Sequence, residues 1–148
     1  MQLTAVQRVA VLFAAVALFS VALFMSSTAE AEAQTSGEQV VNEARSWIGT
    51  PYQYGGDTRA AVDCSGFTML VMQQFGVDLP RTTDAQFGSG AKSGAEAGDL
   101  VFFTNGGNSI AHAGIATGNG TVIHASYQGV AETPMKYLEG YAGAKDVL

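Results

Sequence analysis

The first repeating pattern of apolar residues in this chain has the spacing of an amphipathic helix. Its members are Val40, Val41, Ala44, Trp47 and Ile48. The preceding stretch Ser36-Gly37-Glu38-Gln39 offers a capping box, and Gly49 provides a stop. The pattern therefore predicts a first helix from about Gly37 to Ile48.

A second helical pattern follows the stretch TPYQYGGDTRAAV, whose glycines, tyrosines and turn formers predict a loop. This helix is expected to start at Asp63 and to bury the stripe Phe67, Leu70, Val71 and Phe75. Gly76 stands where a C-terminal cap belongs, and Pro80 prevents simple continuation. A third, short helix is expected to open at Thr83, with Gln86 completing another capping box.

After Gly98 the helical spacing gives way to short apolar runs between turn-forming residues. The runs DLVFF, AHAGIAT and TVIHA are separated by TNGGNS and GNG, which predicts antiparallel strands joined by short connections. Helices followed by strands indicate the α+β class, with N-terminal helices packed on one side of a C-terminal antiparallel β-sheet. With 47% hydrophobic content in 148 residues, the chain is sufficient for one core, so we expect one folded domain.

The N-terminal segment has the features of an export signal. Arg8 precedes an uncharged apolar run over 9–25, whose 17 residues exceed a signal core of about 7–15 and fall short of the roughly 20 that span a bilayer. The small-residue steps that follow favour cleavage near Gln34, so residues 1–33 are expected to be a signal peptide. Retention as an N-terminal anchor is the alternative, and it is the only way in which we expect the protein to contact a membrane. The protein is then secreted or held in the cell envelope.

We expect a short linker over 34–36 and a folded domain over 37–148, and this mature chain is acidic. Loss of the leader removes Arg8, Glu30 and Glu32 and leaves six basic against eleven acidic residues, a net charge of −5. A chain without a basic stripe is a poor candidate for nucleic-acid binding or for non-specific adhesion to an anionic cell wall. Any wall substrate must therefore be held by a specific site.

Cys64 is the single cysteine of the chain and cannot form an internal disulfide. It falls in the first turn of the second predicted helix, where unpaired amides and the helix dipole favour negative charge. A lone cysteine is usually a small buried hydrophobe, but Asp63 and Ser65 on either side are an unusual setting for apolar packing. We therefore interpret Cys64 as a nucleophile that requires a base.

The two histidines of the chain, His112 and His124, lie in consecutive predicted strands on either side of GNG. Taken singly, each would more often be a surface or packing residue. If Thr117 opposes Thr121 across the turn, however, the two-residue period of a strand places both imidazoles on one face as diagonal neighbours. Diagonal neighbours lie about 7–8 Å apart at the backbone, within reach of long side chains. One histidine can then orient the other as the base for a thiol nucleophile.

A metal site is the alternative use of these residues. Structural zinc sites usually draw on close pairs such as C-x-x-C, and no two Cys or His residues of this chain lie within four residues of each other. The stretches GNG and NGGN lack the spacing of a phosphate-binding loop. We therefore expect no metal and no organic cofactor.

Six blocks in order, GTPYQYGG, DCSGF, LPRTTDAQ, GDLVFF, HAGIATGNG and VIHAS, resemble the NlpC-type family of bacterial cell-wall cysteine peptidases. The similarity extends over about Gly37 to Leu148, and it implies a small papain-like domain. The chain departs from the family pattern at Ala113, where valine is common, and at Ala116 and Thr117, where larger residues are usual. These departures affect strand packing and leave the chemical groups intact.

The resemblance implies a catalytic triad: Cys64 as nucleophile, His112 as base, and His124 as the polar residue on the next strand. The expected reaction starts from a Cys64 thiolate paired with a His112 imidazolium, an arrangement that the helix N-terminus favours. The thiolate attacks an amide carbonyl, His112 protonates the leaving amine, and water releases the acyl-enzyme.

The resemblance also implies supporting roles around the nucleophile. Tyr52, the first tyrosine of the YxYGG block, would point its hydroxyl at the developing oxyanion together with the Cys64 amide. A tyrosine next to Pro51 in a glycine-rich loop is also a common packing lid, so both roles stay open. Asp63 and Ser65 would help to hold polar and amino groups of the substrate peptide.

The function that the resemblance implies is hydrolysis of an amide bond in peptidoglycan stem peptides by a monomeric thiol peptidase. The bond is either the one between D-glutamate and the diamino acid or the D-alanyl crosslink. A non-catalytic peptidoglycan-binding module and a thiol-dependent acyltransferase are the alternatives. The intact set of Cys64, His112 and His124 argues against a binding module.

Overall fold

The structure is a computed structural model that describes residues 36–148. The leader predicted over residues 1–33, with the question of cleavage or anchoring, lies outside the described residues. Within the described part, no helix is long and apolar enough to cross a membrane. Ser36 is already helical, so the linker predicted over 34–36 does not extend through that residue.

The helical segments come first along the described chain: α1 over 36–45, α2 over Cys64–Gln73 and α3 over Thr83–Phe87. α1 ends three residues earlier than the predicted end at Ile48. The backbone tightens there into bonds between residues three apart, as from the Trp47 amide to the Ala44 carbonyl at 3.1 Å. Gly49 then turns the chain at a φ of +91°, a conformation that favours glycine.

Both ends of α2 lie where the sequence predicts them. Asp63 is the N-cap, and its carboxylate accepts a hydrogen bond from the Gly66 amide at 2.7 Å. At the other end the Val77 amide donates to the Met72 carbonyl at 3.2 Å, around Gly76 at a φ of +77°. This is a Schellman cap, which a left-handed glycine allows.

α3 begins at Thr83 as predicted, but the predicted capping box is absent. The Thr83 hydroxyl instead donates to the Ile110 carbonyl at 2.8 Å. Gln86 is completely buried; its side-chain carbonyl accepts from Thr68, and its amide group donates to the Ser65 carbonyl at 3.0 Å. These polar groups attach α3 to the start of α2 and to the sheet, because tertiary partners satisfy them better than the local backbone.

Within the described residues the strands are β1 Asp57–Thr58, β2 Ala61–Val62, β3 Ala91–Ser93, β4 Leu100–Thr104, β5 Ile110–Ala116, β6 Thr121–Ser126, β7 Gly129–Pro134 and β8 Tyr141–Asp146. β1 and β2 pair in the loop before α2, and the other six form one antiparallel sheet in the order β3-β8-β4-β5-β6-β7. The three predicted strands are confirmed as β4, β5 and β6. Helices packed on an antiparallel sheet confirm the predicted α+β class.

The main core lies between the helices and one face of this sheet. Its largest completely buried side chains are Phe67, Met72, Leu100, Phe102, Ile115 and Ile123. Two members of the predicted stripe on α2, Leu70 and Phe75, are only partly buried. A smaller apolar cluster covers the opposite face of the sheet and includes Val101, Phe103 and Val122. The alternation of strand residues between the two clusters follows the two-residue period of a strand.

Candidate active site

The candidate site lies where β5 and β6 separate. Next to the GNG turn the two strands pair at Ile115 with Ile123 and at Ala116 with Val122. Farther from the turn each strand remains paired with its other neighbour, β4 or β7, while α2 packs against both. Where β5 is no longer paired with β6, its backbone can contact the start of α2.

Cys64, the first residue of α2, meets β5 at this point. The half-buried thiol accepts hydrogen bonding from the amide of Ala113, the residue that follows His112 in the strand. The amides of Ser65 and of Cys64 itself also face the sulfur. The fold thus brings the sequence-predicted nucleophile to the strand that carries the sequence-predicted base. In the described structure no hydrogen bond yet joins the sulfur to the His112 ring, which is common before substrate binds.

Burial raises the pKa of the Cys64 thiol above its ordinary value, and the nearby Asp63 carboxylate raises it further. The amides that face the sulfur lower the pKa by less. The direction of this shift is opposite to the one that the amides at the helix N-terminus favour. The amides face the sulfur, but the loss of hydration destabilises a charged sulfur more than their hydrogen bonds stabilise it.

The two imidazoles are direct neighbours, which confirms the arrangement predicted from the GNG turn. Nε2 of His112 lies 2.8 Å from Nδ1 of His124, and the ring planes are nearly perpendicular at 86°. Gly114 permits the approach, because a Cβ at this position would lie 3.1 Å from the His124 Cβ and 2.5 Å from a Val122 methyl group. Since Nε2 of His112 is engaged by His124, Nδ1 is the nitrogen left to serve a thiol.

Burial lowers the pKa of both imidazoles. The pKa of His112 falls from 6.5 to about 4, with a further contribution from repulsion by a charged His124. The pKa of His124 falls because of burial. Burial therefore favours a neutral thiol and neutral imidazoles over the expected resting thiolate–imidazolium pair. The proton must leave Cys64 for His112 as the sulfur attacks.

His124 has a second partner that the sequence pattern did not predict, the Thr133 hydroxyl. Nε2 of His124 lies 3.0 Å from Oγ1 of Thr133 in β7. The register pairs His124 with Ala131 and Val122 with Thr133, so Thr133 lies on the face of His124 one diagonal step away. The signal was absent from the sequence because β7 lacks the apolar alternation that identified the neighbouring strands.

Tyr52 lies half-buried beside the site, in the loop that precedes α2. Its backbone forms a bridge with Val62, and its ring contacts that of Tyr127 edge to face at 4.9 Å between centroids. Burial raises the pKa of the Tyr52 hydroxyl, and the negative charge that Cys64 would carry raises it further. The hydroxyl therefore stays protonated near the sulfur, as a hydrogen-bond donor must.

Asp63 and Ser65 are buried in a network around Arg81, a residue of the LPRTTDAQ block for which the sequence predicted no role. Two Arg81 nitrogens donate to the two Asp63 oxygens at 2.9 and 2.7 Å, and one of them also donates to the Ser65 hydroxyl at 2.8 Å. The Ser65 hydroxyl and the amides of Gly66 and Gly55 also donate to the carboxylate. Burial raises the pKa of Asp63, but the hydrogen bonds from Arg81 and Gly66 outweigh it and hold the pKa below its ordinary value. Protein groups thus occupy both carboxylate oxygens, and the network fixes the start of α2.

The groups gathered here suit acyl transfer by a thiol: a nucleophile, a neutral base, a group that orients the base, and a hydroxyl donor. Over residues 36–148, no three His, Cys, Asp or Glu side chains come together as metal ligands.

Comparison with known proteins gives consistent matches. The model of the NlpC/P60 family matches residues 49–143. The chain is 47% identical over 94 residues to a probable endopeptidase p60 of Listeria seeligeri, covering 62% of this chain and 18% of that protein. It is 46% identical over 90 residues to the probable endopeptidase NlpC of Escherichia coli, covering 57% of this chain and 58% of that protein. This chain thus spans about a fifth of the first relative and just over half of the second.

Among solved structures, the NlpC/p60 domain of the peptidoglycan hydrolase SagA superimposes with a TM-score of 0.67 at 37% sequence identity. The superposition covers 75% of this chain and 98% of that domain. The similarity therefore extends over nearly all of the solved domain, which confirms the papain-like fold expected from the sequence.

Proposed function

Since this chain belongs to the NlpC/P60 family, we propose that it is a peptidoglycan endopeptidase that hydrolyses an amide bond of cell-wall stem peptides with Cys64 as nucleophile. The observation that carries the proposal is the hydrogen bond from the Ala113 amide, in the strand of His112, to the Cys64 thiol. The His112 ring is in turn hydrogen-bonded to His124 at 2.8 Å. The names of the two relatives, both probable endopeptidases, support hydrolysis of a peptide bond. The name of the SagA peptidoglycan hydrolase supports peptidoglycan as the substrate.

In the proposed mechanism the reaction starts from neutral groups. Nδ1 of His112 accepts the thiol proton while the Cys64 sulfur attacks the carbonyl carbon of the scissile amide. The resulting imidazolium donates from Nε2 to Nδ1 of His124, which stabilises the charge and holds the ring. His112 then gives the proton to the leaving amine, and a thioester remains on Cys64. Water, deprotonated by His112, cleaves the thioester and restores the thiol.

We propose that Tyr52 stabilises the tetrahedral intermediate. Its protonated hydroxyl donates a hydrogen bond to the oxyanion that forms when the sulfur attacks. The raised pKa of Tyr52 supports this role, because burial and the charge on Cys64 both oppose ionisation of the phenol. The contact with Tyr127 holds the ring from the other side.

For Asp63 and Ser65 we propose a narrower role than direct binding of the stem peptide. Both side chains are buried, and their polar atoms are engaged by Arg81 and by backbone amides. They act on the substrate by fixing the start of α2, and with it the position of the sulfur.

A location outside the cytoplasmic membrane follows from the proposed substrate, and the signal peptide over residues 1–33 remains a prediction. We likewise propose that the protein acts as a monomer with no metal and no organic cofactor.

The test is incubation of the purified protein with stem peptides of defined structure, followed by measurement of product masses. Fragments that have gained water and a new amino group support hydrolysis, and their masses identify which bond is cleaved. Acylated acceptors would indicate a transferase, and unchanged peptides that co-purify with the protein would indicate a binding module. Cys64→Ser is the matched control, since it keeps the size of the side chain and removes the thiol.

A further inference from the structure

Three polar side chains form a continuous chain behind the proposed nucleophile. It runs from the His112 ring to Nδ1 of His124 at 2.8 Å, and from Nε2 of His124 to Oγ1 of Thr133 at 3.0 Å. His124 is only 5% exposed, so its two ring nitrogens depend on these partners for hydrogen bonding. We propose that Thr133 is a positioning residue that stabilises the active tautomer of the two-histidine pair, an inference that rests on the proposed function of the site.

The single proton between the two rings has two possible positions. If His112 carries it on Nε2, then Nδ1 of His112 has a lone pair and can accept the thiol proton. If His124 carries it on Nδ1, a neutral His112 carries its own proton on Nδ1 and cannot act as a base towards Cys64. The first arrangement is the active tautomer.

The active tautomer requires a hydrogen-bond acceptor at the far side of His124. With Nδ1 accepting from His112, neutral His124 carries its proton on Nε2, which points at Thr133. In this tautomer the threonine hydroxyl is the acceptor and satisfies the N–H group, whereas in the other tautomer the same hydroxyl would donate to Nε2. Buried N–H groups without a partner are rarer in proteins than unpaired acceptors. Without the hydroxyl, the two histidines shift towards the inactive tautomer, in which Nε2 of His124 is an acceptor without a partner.

The strand pairing of Thr133 fixes the position of its hydroxyl relative to Nε2 of His124. Thr133 is held by its pairing with Val122, two residues before His124 on β6. β6 and β7 pair without interruption from Thr121 with Pro134 to Ser126 with Gly129. The strand backbones therefore fix the Thr133 hydroxyl relative to the His124 ring. A rigid scaffold of this kind is what an orienting hydrogen bond requires.

The kinetic test compares Thr133→Val, which keeps the shape and removes the hydroxyl, with Thr133→Ser, which keeps the hydroxyl. We expect Thr133→Val to lower kcat about fivefold to tenfold, the effect of one lost hydrogen bond, with KM nearly unchanged. Thr133→Ser should retain at least about half of the wild-type kcat. Thr121→Val removes a threonine hydroxyl from the neighbouring strand, where its partners are Thr117, Asn119 and Glu132, and is the matched control.

The spectroscopic test uses nitrogen NMR of the histidine rings in the full-length protein and does not depend on turnover. Wild type should show His124 protonated on Nε2, and Thr133→Val should raise the population protonated on Nδ1. Either a His124 protonated on Nδ1 in wild type or a kcat for Thr133→Val equal to that of Thr121→Val would overturn the inference. Lack of hydrolysis by wild type would refute the proposed function, while the ring tautomers would still decide the role of Thr133.

Discussion

Gly114→Ala is the substitution for which the structure gives the most direct consequence for the site. A Cβ at this position would lie 2.5 Å from a Val122 methyl group, 2.9 Å from the Ile123 carbonyl oxygen and 3.1 Å from the His124 Cβ. Val122 is completely buried, and the carbonyl belongs to the backbone of β6, so neither can turn aside easily. β6 must therefore move away from β5 near the two histidines.

The size of this movement follows from the contacts. Restoring an ordinary carbon–carbon separation of about 3.5–4 Å to the Val122 methyl group requires a shift of about 1–1.5 Å. Such overpacking costs about 1–3 kcal/mol of folding free energy, which for a domain of this size lowers Tm by about 4 °C per kcal/mol. The bond between His112 and His124 measures 2.8 Å, and a shift of about 0.7 Å brings it to the limit of a hydrogen bond. A misplacement of this kind is expected to lower kcat by about 10- to 100-fold.

The assay measures thermal unfolding and peptide hydrolysis of Gly114→Ala beside Gly107→Ala. Gly107 has only the Asn105 side-chain oxygen near its hypothetical Cβ, at 3.8 Å, so the control carries the same effect on the unfolded chain without overpacking. Gly107→Ala should keep the wild-type Tm and kcat. If Gly114→Ala matches the control in both quantities, the close approach of β5 and β6 is not what brings the histidines together.

Four further predictions concern charge. Because the pKa of His112 is lowered to about 4, kcat/KM should remain high as pH falls to about 5 and should reach half of its maximum near pH 4. A fall of kcat/KM to half of its maximum near pH 6.5 would contradict a buried neutral base. The same shift makes the folded state lose stability as pH falls from 6.5 towards 4, which urea unfolding at several pH values can follow. Alkylation of Cys64 should have a pH midpoint above the ordinary value of about 8.5, and a midpoint clearly below it would mean that the helix amides outweigh burial. Asp63→Asn should lower the free energy of unfolding by about 2 kcal/mol at pH 7, because it removes the carboxylate that Arg81 binds. This difference from wild type should shrink as pH falls, because the native carboxylate is then protonated. A difference that does not depend on pH would refute the ion pair as its source.

Local features of the chain were sufficient to predict α2, the three central strands and the neighbouring histidines. Asp63 and Gly76 act on the backbone within a few residues of themselves, so the ends of α2 follow from their chemistry. The GNG turn sets the register of β5 against β6, and the strand period then decides which face His112 and His124 share. Each of these inferences needed only residues that are close together along the chain.

The tertiary structure alone decided the environment in which those residues work. Arg81 reaches Asp63 across 18 positions, and Thr133 reaches His124 from a strand that no apolar alternation marks. The pKa of Cys64 depends on how much water the packed strands exclude, and burial reversed the direction that the helix N-terminus had led us to expect. Periodicity and turn chemistry are short-range and can be read from sequence, whereas desolvation and contacts between distant segments exist only once the chain has folded.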